Sequence, residues 1–587
     1  MKSQQYKREF NLQDGISRNA FQTFLLIYSV LGLVAGVNTF SFPSEPETAW
    51  IGSYSLLRVI LGLLTLLASG VGWTFFILFR QGKLDPFFNK LNNCLKKGDR
   101  PFFAVYGAWG IFFLMAWCFL FSWLFIPKNF RSQIAWIGFT ALSAALILKV
   151  SFRNTFAGSH FLKKYHLLPR FSDLFQKQKK VFFLLIGLGL VYILILLPSN
   201  LNGTKDWADF QHYGGDEYVI YPILMNVMKP GKDFSAELYH IFIYEDYHYG
   251  FPFYAWSAVI LLPVKWIAGK NFPNLVQINL PLLRIFVSVI PLILSALLIT
   301  GLFTRFKSWL CSPAVFLFLL LAPGSLQNNQ GFWHPDGLNL LFVCLTLFFL
   351  DRDHYRFGIN FWAAAFFTGL SIATRLFGFF FALAILVYLI SGVIQKQLTF
   401  HSAAKRGLIF ILIMCITVLF ADPFLFRSDA RNRMVQIMTE KKTEMDTGYG
   451  GQNDPRHDYR TGWDAWYPAF EDHYTMMFCF FFLIFSLIFA CFYGPLQLLH
   501  RMELCWFLMA GGYLIFFVAV KSTQYVQPVL LPLMGVVFSF PLSLEDENYS
   551  GKILHHPYGH VIAWFSAWGV WLAQTIINII KIIPRFK

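Results

Sequence analysis

Apolar runs of about 15 to 25 residues follow one another along the chain, among them Phe21 to Val37, Val59 to Phe79, Phe102 to Ile126, Val181 to Leu197 and Leu376 to Ile394. Short polar segments separate them. At ~1.5 Å per residue such runs match a hydrocarbon core ~30 Å thick. Lipid offers no partner to an open strand edge, so each run is expected to be a helix whose backbone bonds close within itself. The pattern predicts an all-α polytopic membrane protein with about fifteen spans.

Composition agrees with this pattern. The 587 residues are 56% hydrophobic and 19% aromatic with only 14% charged, which leaves too little polar surface for a water-soluble globule. The net charge of +16 does not imply nucleic acid, because the Lys and Arg residues sit in short loops between apolar runs and form no basic face or nucleic-acid-binding motif. Cys94, Cys118, Cys311, Cys344, Cys415, Cys479, Cys491 and Cys505 lie almost entirely in or beside apolar runs, so neither a disulfide framework nor a zinc pattern is expected. No small-residue cleavage site follows the first run, which is read as a retained span.

Charge then gives sidedness. Basic residues cluster at Lys7 and Arg8, Arg80 to Arg100 and Arg153 to Lys180, which should face the cytoplasm, while Ser41 to Trp50 carries only Glu45 and Glu47. Lys128 and Arg131 are a mild exception. The run Phe253 to Gly269 decides the rest. It contains Pro263 and Lys265 and is flanked by Trp256 and Trp266, which suits a helix lying at the interface. If it does not cross, Arg305 with Lys307, Asp351 to Arg356 and Lys396 to Arg406 fall inside. Gln327 to Asp336, Arg375 and Asp422 to Tyr474 fall outside. The run Ile562 to Ile583 ends in Lys and Arg, which would prefer the inside.

With that orientation, residues 181 to 545 resemble the GT-C membrane glycosyltransferases, in particular the protein O-mannosyltransferases and the lipid A aminoarabinose transferases. The resemblance rests on Gly215-Asp216-Glu217-Tyr218 after a span, Met228-Lys229-Pro230-Gly231-Lys232-Asp233, His248-Tyr249-Gly250-Phe251-Pro252-Phe253-Tyr254, Leu283-Arg284, His334-Pro335-Asp336-Gly337, Thr374-Arg375-Leu376-Phe377-Gly378 and Gln524-Tyr525-Val526-Gln527-Pro528. It departs where the aminoarabinose transferases have Lys-Pro-Pro and this chain has Gly250-Phe251-Pro252. It implies a GT-C-like helical bundle with external juxtamembrane helices and loops. The regions are then 1–180, four spans without a counterpart; 181–545, the transferase-like domain with external loops 198–282 and 422–474; and 546–587, with a last span.

The resemblance also implies chemistry. A monosaccharide would pass, with inversion, from a polyprenyl-phosphate donor to a lipid, glycan or protein acceptor at the outer face. Asp216 would be the base, Glu217 a neighbour that orients it or holds acceptor or metal, and Asp336 a second catalytic or metal-binding carboxylate. Arg375 would meet the departing phosphate, with His248, Tyr249, His334, Lys521, Tyr525 and Arg284 as further substrate contacts. Each has a plainer reading. Asp216 and Glu217 suit the first turn of any helix, Asp336 is placed as a cap, and Arg375 could snorkel to headgroups. Arg427, Arg431, Arg433, His457, Arg460, Trp463, Trp466, His473 and Tyr474 could cover the site or form an interfacial belt. No cofactor pattern stands out, and a divalent metal would have Asp216 and Asp336 as its ligands. The expected partners are the donor, an acceptor and the bilayer, without nucleic acid. The absence of external cysteine pairs tilts the location to a bacterial inner membrane. A transporter or flippase, or a non-catalytic binder of lipid-linked sugar, is the alternative.

Overall fold

The computed structural model describes residues 56–89, 178–448, 459–544 and 557–586, apart from 214, 230, 494 and several positions in 234–246, together with scattered positions between 22 and 36. The expected span Phe102 to Ile126, the loop Ser41 to Trp50, and Cys94, Cys118, Lys128, Arg131 and His457 lie outside the described residues. Every regular element among the described residues is helical, and the protein is a multi-pass membrane helix bundle.

The chain divides into two compact units, residues 1–139 with 544–563 and residues 140–543 with 564–587. In the first, helix α1 (Leu56–Arg80) is joined to a neighbouring helix by Ser69, whose hydroxyl donates to the carbonyl of Ser29 at 2.7 Å. Phe79 meets Phe88 edge-on at 5.1 Å beside Leu25.

The second unit begins with α2 (Lys179–Asn200), then α3 (Asp216–Val227) and α4 (Phe251–Ala268). The next long helix comprises α5 (Val276–Leu283), a π-helical turn Arg284–Val289 and α6 (Ile290–Thr304). It is followed by α7 (Asp336–Asp353), α8 (Ile359–Arg375), α9 (Ala382–Ile394) and α10 (Phe400–Ala421). After α10 come the polar helix α11 (Ser428–Thr447), then α12 (Trp463–His473), α13 (Met477–Phe492), α14 (Gln497–Trp506), α15 (Thr523–Met534) and the part from Trp564 onward of α16 (Pro557–Ile582). Large apolar side chains cover the outside: Leu194 is 65% exposed, Leu408 68% and Phe420 76%. Such surface is stable only against lipid.

Eight of the described helices are long and apolar enough to cross a membrane, or nine if the sharply bent pair α12 and α13 is one span. Among the described residues, apolar runs do not all become single long helices. Cys311–Leu320 has only 10 residues, and the helix from Gln497 to Phe517, continuous through a π-helical turn at Phe507–Gly511, carries His500, Arg501 and Glu503.

Paired charges mark the two ends. At one end Arg305 binds Asp351 at 2.7 Å and Arg406 donates to the carbonyl of Phe357. At the other, Arg284 makes two bonds to Glu217, Nε to Oε1 at 2.9 Å and Nη2 to Oε2 at 2.5 Å. Its Nη1 also donates to the carbonyls of Asn200 at 3.0 Å and Asn202 at 2.7 Å. The peptide N–H of Trp333 donates to Glu217 Oε1 at 2.5 Å. Arg284 to Arg305 spans roughly 31 Å of helix, about one hydrocarbon thickness. Alternate loops therefore gather at the same end, as the charge pattern predicts.

On this scale α5 projects beyond the Arg284 level, and α4 runs back along it. Trp256 Nε1 donates to the carbonyl of Phe286 at 3.2 Å, and Asn279 Nδ2 to that of Phe272 at 3.0 Å. Helix α4 is long and apolar enough to cross, but its partners are α3, α5 and the end of α8 rather than the length of α6 and α7. The last span departs from the charge expectation: Lys581 donates to the carbonyl of Glu471 at 2.6 Å, in the α12 segment at the Arg284 end. There the ammonium has the Glu471 carbonyl and, at 3.8 Å, the Asp472 carboxylate as partners.

Glu217 and Arg284 are both fully buried. Replacing Arg284 with Met leaves Glu217 without its counter-charge, which for a buried pair costs about 3–5 kcal/mol. A marked fall in the thermal midpoint of detergent-solubilised protein is expected, largely recovered in the Glu217→Gln/Arg284→Met double variant. A single variant as stable as the parent would rule out the pair as a structural element.

Candidate functional site

Four distant stretches meet at the Arg284 end. Asp336 opens α7, and Arg375 closes α8 with its Nη1 3.1 Å from Asp336 Oδ1. His334 Nδ1 rests against Asp336 Oδ2. The other ring nitrogen, Nε2, lies 2.8 Å from the hydroxyl of Tyr249 and 3.4 Å from Arg375 Nη2. The Arg375 guanidinium also lies between two aromatic rings, 5.2 Å from the centre of Tyr249 and 5.1 Å from that of Tyr525. Phe332 stacks on the imidazole at 4.9 Å.

The electrostatics of the cluster follow from burial. His334 is held below its ordinary pKa because burial disfavours the imidazolium, an effect that Asp336 opposes. The ring is therefore neutral, and the hydrogen on Nδ1 faces Asp336 while Nε2 accepts from Tyr249. Burial also raises the Tyr249 phenol, which stays protonated as that donor.

Local backbone explains how each group arrives. Gly215 has φ +49°, a conformation that L side chains rarely adopt, and this turn starts α3 so that Glu217 points inward and Asp216 outward. Asp216 is exposed, yet its charge acts on both His334 and Tyr249. His334 is fixed by its own peptide N–H, which donates to the Ser288 hydroxyl at 3.2 Å within the π-helical turn. Gly337 packs on the same turn, and a Cβ there would stand 2.9 Å from the Ser288 carbonyl oxygen. Tyr249 is held by its neighbours. Gly250 N–H donates to the Thr374 carbonyl at 3.3 Å, and a Cβ at Gly250 would fall 1.6 Å from the Ala373 oxygen. Next in the chain, Phe251 N–H donates to Asp422 Oδ1 at 2.8 Å.

Behind Asp336 is a recess lined by Asn328, Asn329, Gln524 and Gln527, too tight here for a water-sized sphere. Asn328 Nδ2 donates to Gln527 Oε1 at 2.8 Å, and Thr523 Oγ1 donates to Asn328 Oδ1 at 2.6 Å. Tyr474 reaches the same group, 3.3 Å from Asn328 Nδ2. Several buried atoms nevertheless lack an aligned partner: both Asp336 oxygens, Asn329 Oδ1, Gln527 Nε2 and Ser325 Oγ. Asp336 is paired with Arg375 by proximity of charge and touches the neutral His334 ring, but neither contact has hydrogen-bond angles. Each such atom costs about 1–3 kcal/mol.

The expected site residues therefore divide. Asp336, Arg375, His334, Tyr249 and Tyr525 converge, with Asp216 at their edge. Glu217 and Arg284 spend their donors and acceptors on each other and on the backbone. His248 lies at the surface. Lys521 donates to the carbonyls of Arg460 and Ala519 at 2.7 and 3.2 Å, on a neighbouring loop. In the 422–474 loop, Trp466 is buried with its indole N–H on the Val518 carbonyl at 2.7 Å, and Trp463 packs on Phe480, so both support the fold. Among the described residues no three His, Cys, Asp or Glu side chains form a metal-binding group. Asp336 has a guanidinium as its counter-charge and Asp216 stands apart from it, so the residues present do not fit a divalent cation. Ser288, Asn328, Gln527, Thr523 and Asp422 are additions that sequence reasoning missed. The run Asn328-Asn329-Gln330, three carboxamides between apolar helices, was the signal available.

No protein-family model matches the chain, and no curated protein sequence matches it significantly.

Burial pushes the Asp422 carboxyl up to about 7, an effect that the Phe251 N–H opposes. Its folded pKa is thus above the unfolded value of ~3.9. The stability it contributes is complete below about pH 4 and is lost as pH rises through about 7. Asp422→Asn keeps an acceptor for Phe251 and cannot ionise. The variant should lose less thermal stability than the parent between pH 5 and pH 8, and equal losses would show that Asp422 does not titrate there.

Proposed function

We propose that this protein is a membrane glycosyltransferase of the GT-C type that moves a monosaccharide from a polyprenyl-phosphate donor to an acceptor at the non-cytoplasmic face, with inversion. The supporting observation is the meeting of Asp336, His334, Tyr249 and Arg375, drawn from separate stretches, beside a recess of unsatisfied polar atoms at one end of a lipid-embedded bundle. A lipid-linked sugar has the matching parts: an apolar chain for the bilayer, an anionic phosphate and a ring of hydroxyls.

In this reading Asp216 takes the acceptor proton as the acceptor oxygen attacks the anomeric carbon. The bond from that carbon to the phosphate oxygen breaks, and the polyprenyl phosphate leaves with the bonding electrons. Arg375 compensates the new charge. Its five N–H donors exceed what Asp336, His334 and Tyr249 take up, and the two aromatic rings keep the guanidinium in register. Asp336 and neutral His334 orient Arg375, and Asn329 Oδ1 and Gln527 Nε2 are the carboxamide atoms beside it that the protein leaves without partners. Glu217 and Arg284 hold the Trp333-His334 segment and take no part in bond making.

The test is turnover by purified protein in liposomes containing undecaprenyl- or dolichyl-phosphate sugars, read as release of polyprenyl phosphate. Asp216→Asn should lower kcat by about 10²–10⁴-fold, and Arg375→Gln by about 10²–10³-fold, with membrane abundance unchanged. Turnover by Asp216→Asn equal to the parent would remove it as the base. Labelling of cysteines introduced at 216 and 336 from opposite faces would dismantle the shared centre. Movement of intact donor across the bilayer without release would favour a flippase.

A further inference from the structure

A second depression lies on the same face of this unit and is not used by the chemistry above. It has a volume of about 690 Å³ between α3, the 239–247 segment and the start of α11. Its walls include Asn226, Tyr239, Tyr244, Tyr247, Asp429 and Arg433. This volume falls in the range of ligand-binding clefts. The lining combines aromatic faces with a carboxamide, a carboxylate and a guanidinium.

The tyrosines are positioned by packing. Tyr247 lies 4.4 Å from Phe424 at 32°, and Tyr244 is 4.9 Å from Tyr254, so two rings are fixed in the floor. Tyr239 is 46% exposed on the rim, and the Arg427 guanidinium lies over it at 5.5 Å. Arg427 is paired with Asp429 at 2.9 Å. A flat exposed ring beside paired polar groups suits a ligand with one apolar face and an equatorial fringe of hydroxyls, which is the surface of a pyranose. Asn226 and Arg433 are exposed on opposite walls and can bond such a fringe from both sides.

The floor of the groove is tied to the site through buried contacts. The Tyr244 hydroxyl donates to the Tyr249 carbonyl at 3.2 Å, and the Tyr249 hydroxyl contacts His334. A saccharide in the groove therefore lies next to the segment that carries Tyr249. We propose that this groove binds an oligosaccharide, the acceptor of the reaction, with Tyr239 as its stacking platform and Arg433 and Asn226 as hydroxyl ligands. Its role as acceptor site rests on the transferase reading, whereas saccharide binding does not.

The experiment measures binding without turnover. Full-length protein in nanodiscs is titrated with chitohexaose, mannohexaose and maltohexaose by saturation-transfer NMR, and separately with undecaprenyl phosphate. At least one hexasaccharide should bind, with affinity at least about tenfold weaker in Tyr239→Ala and in Arg433→Ala. Undecaprenyl phosphate should bind all three proteins alike. Both substituted side chains are exposed, so folding should be unaffected, and unchanged thermal midpoints check this. Binding by none of the hexasaccharides, or binding indifferent to both substitutions, would overturn the proposal. So would displacement of the sugar by phosphatidylglycerol, which would assign the groove to lipid. Sugar binding lost in the variants, with no donor turnover by the parent, would keep the groove and discard the transferase reading.

Discussion

A charge removed from water in a lipid-embedded bundle must be matched locally, and two carboxylate–guanidinium pairs meet this constraint in opposite ways. Glu217 and Arg284 satisfy it completely. The guanidinium donates to the carboxylate and to two carbonyls, and the carboxylate also accepts the Trp333 N–H. Asp336 and Arg375 are close in charge but leave the carboxylate oxygens without aligned donors. The first arrangement has nothing left to offer a ligand. The second does, and this separates scaffold from site more sharply than residue type.

The two pairs are mechanically coupled. Trp333 gives its peptide N–H to Glu217, and its indole N–H donates to Ser257 on α4 at 3.1 Å. The next residue is His334, held by Ser288 one turn after Arg284. A single peptide step thus joins the satisfied pair to the unsatisfied one. The π-helical turn Arg284–Val289 presents Arg284 and Ser288 to the same segment, a local departure from regular helix that often accompanies functional positions.

The sequence showed the bundle and much of the convergence because membrane solvation constrains both. Apolar run length and alternating loop charge placed Arg305, Asp351 and Arg406 at one end and Asp336, Arg375 and Asp422 at the other. Partner choice was not legible. Arg284 has the same composition of neighbours whether it binds a phosphate or Glu217, and only the fold distinguishes these. Hydropathy also could not see the breaks at Leu321–Ala322 and Phe507–Gly511, where the chain leaves regular α-helix without leaving the bundle interior. Lys581 misled for a related reason: charge rules average over loops, and a single ammonium can be satisfied by one carbonyl and a nearby carboxylate.

The placement of Tyr249 shows why the outer segments belong to the site. Three consecutive residues divide the work: Tyr249 reaches His334, Gly250 bonds Thr374 on α8, and Phe251 bonds Asp422 after α10. Gly250 cannot carry a side chain here, because a Cβ would coincide with the Ala373 carbonyl, so the approach that brings Tyr249 beside Arg375 requires glycine. Helix α4 begins at this contact and runs along the projecting α5, away from the bundle interior. If α4 instead spanned the bilayer beside α6, its first residue could not meet both Thr374 and Asp422 while Trp256 bonded Phe286. The course of α4 along α5 and the assembly of the Tyr249–His334–Arg375 cluster therefore rest on the same contacts.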